Sequence, residues 1–313
     1  MEVINNTMTL SLDDNPELQT YHEEILNTLS HILGLLLCLP AVFFLISVAR
    51  MRGTRLHVIS CTIYGLSLMT MYFCSSLYHS VGIFIHLEQY RSQLKDLDHC
   101  AIYMLIAGTY TPLTLINLVH NNSNKEITTP KAVKIGWLMF VVVWMMAAVG
   151  VLSKMILGAN HIPDFFSNAT YLIMGWVSLL GVKDLIQHLP RKGLKLLISG
   201  GLAYTSGIAF LIWETTPFNH AIWHLFVGAG SILHYFCILE CIIPSRKDGH
   251  ASVIIDNFDF AEQQLSLVFF GSRGRRQKFI VRYMKTLYRL LIGWAFGAST
   301  VISSPQPVNK KTK

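Results

Sequence analysis

Charge is scarce in this sequence: 14% of its 313 residues are charged, against 52% hydrophobic, and the first thirty positions hold no Lys or Arg at all. So small a polar fraction cannot cover a soluble globule of this size. Together with a mean hydropathy of +0.44, it excludes a disordered chain and an ordinary soluble enzyme. Cysteine is thin as well, with six residues at 38, 61, 74, 100, 237 and 241 and no CxxC pair. That excludes a disulfide framework, and the thiols read as small apolar side chains; Cys237 and Cys241 share a helix face but lack further ligands. With no basic stretch ahead of an apolar one, and Glu2, Asp13, Asp14, Glu17, Glu23 and Glu24 in its place, residues 1–30 are not expected to form a cleavable signal peptide. Fixed-period repeats and period-2 alternation are also missing, which argues against solenoids and transmembrane β-barrels.

What the chain does have is long apolar runs, at about 31–49, 58–79, 99–119, 135–157, 166–187, 194–213 and 221–243. Each approaches the roughly 20 residues a helix needs to cross a bilayer, and charged or helix-breaking joints separate them. The expected fold is therefore all-α, a seven-transmembrane helix bundle over 31–243, preceded by an acidic segment over 1–30 and followed by a basic tail over 244–313.

The net charge of +7 divides unevenly: residues 1–243 carry 13 basic and 14 acidic side chains, and the tail carries 12 and 4. Within the tail, Lys278, Arg282, Lys285 and Arg289 fall at helical spacing, with Phe279, Tyr283, Leu287 and Trp294 largely away from that stripe. This predicts a basic amphipathic helix over 273–296 lying on an anionic leaflet; an eighth, weak span or a solvated tail are the alternatives. Nothing beyond charge points to a nucleic-acid or calmodulin-like partner, so membrane lipids are the partners expected. With seven spans, the joints on the N-terminal side carry Arg91, Lys95 and Lys154, whereas the opposite side carries ten basic residues before the tail's twelve. The positive-inside rule then places the N-terminus outside and the C-terminus in the cytoplasm of a plasma or inner membrane.

Ionisable groups near spans are functional candidates by default, because burying them unpaired is unfavourable. Of thirteen histidines, those at 22, 57, 86, 120, 161, 188 and 250 fall in joints or termini and read as solvated. The others are not scattered. Span two closes with Ser75 one turn before His79, span three opens with Asp98, and span seven opens with His220 and His224 at i, i+4 on one face. Alternating topology puts these three helix ends on one side of the membrane, so the five residues can converge. Three imidazoles beside a carboxylate suit zinc, and a three-His site keeps a fourth position open to water; hydrogen-bonded core histidines are the alternative. His234 lies ten residues beyond His224, about 15 Å deeper at 1.5 Å per residue, which favours an interhelical hydrogen bond instead. His31 is on the cluster's side and reads as a helix-end histidine.

The sequence resembles the hemolysin III group within the progestin and adipoQ receptor superfamily. The resemblance rests on Glu23-Glu24 leading to Thr28-Leu29-Ser30-His31, on Ser75-Ser76-Leu77-Tyr78-His79, on Asp98 through Tyr103 to Pro112, on Met174-Gly175-Trp176, and on His220 through Val227 to Gly230, Ser231 and His234. These pieces cover roughly 21–243 in order; residues 245–313 have no counterpart among them. The resemblance implies a seven-helix bundle holding zinc through His79, His220 and His224, with Asp98 near the metal-bound water and Ser75 alongside. Because the superfamily is similar to alkaline ceramidases in this arrangement, it implies a zinc-dependent hydrolase of an amide-linked, ceramide-like lipid, with Asp98 as general base and acid and Ser75 as a hydrogen-bond donor. Tyr103, Tyr110 and Thr111 would line the adjoining cavity or pack in the interior, and Thr109–Pro112 would bend span three. A receptor or regulatory protein with a structural zinc is the rival reading. A pore-forming haemolysin fits less well, since the polar groups gather at one rim. The adiponectin-receptor relatives place N-terminus and zinc rim in the cytosol, opposite to the charge count.

Overall fold

The structure, a computed structural model, describes residues 16–120, 129–213 and 215–244; the expected surface helix at 273–296 and the start of the acidic segment lie outside the described residues. Eight α-helices follow one another: α1 Pro16–Arg52, α2 Arg55–Ser80, α3 Arg91–Thr114, α4 Pro130–Leu157, α5 Asp164–Gly175, α6 Val182–His188, α7 Arg191–Leu211 and α8 Asn219–Cys237. Single π turns, Leu115–Val119 and Ile238–Ile242, continue α3 and α8. Because α5 and α6 are joined by a 3₁₀ turn at Val177–Gly181 and cross together, seven helical segments are long and apolar enough to span a membrane. Among the described residues there is no strand, and the chain is the seven-span all-α membrane protein its apolar runs predict.

α1 begins fifteen residues before its apolar run. Pro16 opens the helix, where its fixed φ and missing N–H are favourable. Its 37 residues make a rod of about 55 Å, against roughly 30 Å of hydrocarbon. Hydropathy marks only the part that lipid must surround, so the polar first turns go unseen by it. α4 starts with Thr129 as N-cap, its hydroxyl accepting from the Ala132 N–H at 3.2 Å, and ends at Gly158, whose φ of 81° favours glycine.

Consecutive helices α1 to α4 pack pairwise, α7 packs along α8, and α8 also meets α1. The third span is the most interior, with 72% of its apolar window buried against 22–50% in the others. Its polar side chains are accommodated locally: Thr111 and Thr114 donate to the carbonyls of Ala107 and Tyr110. Close approach to α2 depends on Gly108, where a Cβ would lie 2.1 Å from Ser67 Oγ. α3 runs through Pro112 as helix before its π turn.

The fifth span breaks after Gly175, and α3 repairs the break. Tyr110 Oη donates to the Gly175 carbonyl at 2.7 Å and accepts from the Ser178 N–H at 2.8 Å. Backbone groups freed at membrane depth must find protein partners, and one phenol here serves two of them.

Two residues near joints are buried, one of them, His57, against its expected solvation. His57 is fully buried at the start of α2, where its Nδ1 accepts from the Thr54 backbone N–H at 3.1 Å. Lys154 is fully buried in the last turn of α4, and its Nζ has no hydrogen-bond partner. Proximity to a joint does not imply exposure here, because neighbouring parts of the fold cover these turns.

Candidate metal centre

His79 comes from the last turn of α2, and His220 and His224 from the first two turns of α8. One nitrogen from each ring lies within 4.8 Å of the other two. The rings stand at steep angles to one another, with centroids 4.8 Å (His79–His220), 5.0 Å (His79–His224) and 4.8 Å (His220–His224) apart. The i, i+4 spacing puts the α8 pair on one face, and the loop before α8 is pinned from two directions. Glu23 of α1 accepts from the Phe218 N–H at 2.9 Å, while Asn219 donates to the Leu211 carbonyl at 3.1 Å.

The outward nitrogens of two rings are fixed by α1. His79 Nδ1 lies 2.6 Å from Glu24 Oε2; since a carboxylate only accepts, Nδ1 carries the proton and Nε2 keeps its lone pair. That Nε2 is buried without a hydrogen-bond partner. His224 Nδ1 lies 3.0 Å from Ser30 Oγ and 3.3 Å from the Asn27 carbonyl. Ser30 already donates its own proton to that carbonyl, at 2.8 Å, so His224 Nδ1 is the donor and its Nε2 is likewise left as an acceptor. Neutral imidazoles with one nitrogen tied to an acceptor and the other bare are what zinc-type coordination requires, and the carboxylate behind His79 is the outer support such ligands commonly have. The residues present therefore fit a metal ion.

Asp98, in the second turn of α3, is buried and lines one cavity together with Ser75, His220 and His224. All five residues singled out in the sequence are thus brought to one end of the bundle. His31 joins them: its ring stacks on His224 with centroids 3.6 Å apart, and both of its nitrogens are buried without a partner. His234 bonds across to α7, with Nε2 donating to the Leu197 carbonyl at 3.1 Å, as its depth predicts. Tyr110 lines the adjoining cavity, whereas Tyr103 packs on Gly150 and Tyr171, and Thr111 accepts from Trp144 Nε1. Cys237 is a buried thiol directed at the Gly193 carbonyl, consistent with packing.

Glu23, Glu24, Asn27 and Ser30 act from α1, ahead of the apolar run that marks the first span. For Glu24 and Asn27 a signal is present in the sequence: residues 24, 27, 28 and 31 are polar at i, i+3, i+4 and i+7, one stripe leading into the apolar part of the helix.

The cluster opens on a cavity of about 740 Å³. Ser75, Asp98, His220 and His224 line its upper end, aliphatic side chains such as Leu105, Leu172 and Ile208 its walls, and Tyr204 and His234 its floor. The arrangement can hold a divalent cation at the head of a chamber sized for a small amphiphile.

A seven-span bundle with a largely buried histidine triad at one end defines a class of integral membrane protein with a candidate metal centre. The family described as Haemolysin-III related matches residues 19–235, and the chain belongs to that family. It is 38% identical to Hemolysin-3 of Bacillus cereus over 229 residues, covering 73% of this chain and 96% of that protein. It is 39% identical to the Hemolysin-3 homolog of Bacillus subtilis over 220 residues, 70% of this chain and 94% of the relative. A more distant relative is the human monocyte to macrophage differentiation factor, 29% identical over 239 residues, 73% of this chain and 88% of that protein.

Proposed function

We propose that this protein is a zinc-dependent hydrolase of an amide-linked, ceramide-like lipid that enters from the bilayer. The observation that carries this reading is the histidine triad with the outer nitrogens of His79 and His224 tied, set beside Asp98 and Ser75 at the head of a largely apolar cavity. His79, His220 and His224 hold the ion. Zinc, when bound, supplies a Lewis acid that polarises a carbonyl and brings the pKa of water down to about 7. Asp98 takes the proton of the attacking water and returns it to the leaving amine nitrogen, a role worth about 10²–10⁴ in rate. Ser75 orients that carboxyl through its hydroxyl. The apolar walls receive the acyl chain and keep bulk water from the amide.

The same reading places the metal rim outside. With Lys154 buried, the basic groups left on the N-terminal side are Arg91 and Lys95, against ten in the joints of the opposite side, which supports a cytoplasmic C-terminus. The tail's 273–296 segment then lies on the anionic cytoplasmic leaflet. A C-terminal reporter active only outside the cytoplasm refutes this orientation.

The test of the chemistry is fatty-acid release from a defined ceramide by purified protein. Asp98→Asn should lower the rate by about 10²–10⁴ while zinc content stays unchanged. Full biological output from a zinc-bound Asp98→Ala variant overturns the enzyme reading and leaves a structural metal in a regulatory protein.

A further inference from the structure

The cavity has a polar floor as well as a polar head. Among the described residues lining its lower part, the other hydrogen-bonding side chains are committed within the protein. Tyr110 donates to Gly175, Thr109 to Leu105 and Thr205 to Gly201; Trp176 Nε1 donates to Thr205, and the Tyr204 hydroxyl is paired with Ser231 at 2.8 Å. His234 differs. Its Nε2–H is given to the Leu197 carbonyl, so its Nδ1 is a lone-pair acceptor.

That ring is placed by a built contact. A Cβ at Gly200 would lie 2.3 Å from His234 Cδ2 and 2.4 Å from its Nε2, so only glycine lets this edge reach α7. The opposite edge, carrying Nδ1, is left for the cavity, which His234 lines together with Tyr204, whose ring centroid is 5.5 Å away. A plain hydrocarbon tail reaching this floor would strand the acceptor in an apolar contact, an unfavourable outcome for a polar atom at membrane depth.

We infer that the floor is a second recognition point, where His234 Nδ1 accepts a hydrogen bond from a hydroxyl carried on the lipid chain about 15 Å from the group held at the histidine triad. The inference rests on the reading that a lipid occupies this cavity head-first from the metal rim. It names the substrate class more narrowly: a chain-hydroxylated amphiphile.

The test compares 12-hydroxyoctadecanoic acid with octadecanoic acid in displacing a fluorescent acyl probe from the full-length protein in detergent. One added hydrogen bond should make the hydroxylated acid bind about three- to tenfold tighter. 3-Hydroxyoctadecanoic acid, whose hydroxyl stays near the head, should gain nothing. His234→Leu should bring the 12-hydroxy preference to about one, a ratio that a purely structural role for His234 would not change. If that variant does not fold, the comparison of the two hydroxy isomers on the unaltered protein decides. Equal binding of the hydroxylated and plain acids overturns the floor site alone, as does a His234→Leu protein that keeps the full preference. Failure of every acid to bind overturns the lipid reading and the floor together.

Discussion

Buried histidines occur at both ends of the bundle, and they are used differently. Where α1 turns into α2, His57 has its Nδ1 occupied by the Thr54 N–H, three residues away: one ring caps one helix. At the other end, His79 and His224 turn one nitrogen outward to acceptors on α1, and with His220 they gather the remaining nitrogens into one place. Burial is common to both, so burial does not mark a metal ligand. Convergence does, combined with an outer acceptor that leaves the inner lone pair free.

The sharpest break of this comparison is to remove one ring from each end. His79→Ala or His224→Ala should reduce bound zinc from about one per chain to background by elemental analysis, while His57→Ala keeps its zinc; loss of metal from the His57 variant would erase the distinction. Next comes the support behind the ligand. Glu24→Gln should weaken metal affinity by about 10–100-fold in a competitive chelator titration, and an unchanged affinity would mean that the carboxylate does not set the state of His79. The smallest effect belongs to the cap: His57→Ala should lower stability by about 1 kcal/mol, read as a modest fall in Tm of the detergent-solubilised protein. A drop as large as that caused by stripping the metal would show that His57 does more than end a helix.

Much of this was legible in the residues because charge is so sparse. The spans follow from run length, and Ser75, His79, Asp98, His220 and His224 stood out as the polar residues that alternating topology carries to one rim. What stayed hidden depends on contacts between helices. Glu24 and Ser30 precede the first apolar run, and their roles appear only once α2 and α8 lie beside α1. The break in the fifth span carries no proline; it is tolerated because Tyr110, 65 residues earlier, satisfies Gly175. Lys154 looked like a joint charge and is covered by its neighbours, so the tally of exposed charges shifts with packing that hydropathy does not report.

The bond between Asn27 and His224 joins positions 197 residues apart, nearly the full extent of the bundle. During synthesis the first helix leaves the ribosome with its acceptors in place and meets His79 on the second, but the His224 ring arrives only with the last. The site is therefore absent from every partial product, and a chain cut short before α8 has no means of gathering the three imidazoles. Assembly of the triad is an end-of-line event that requires the first and last helices to have found each other.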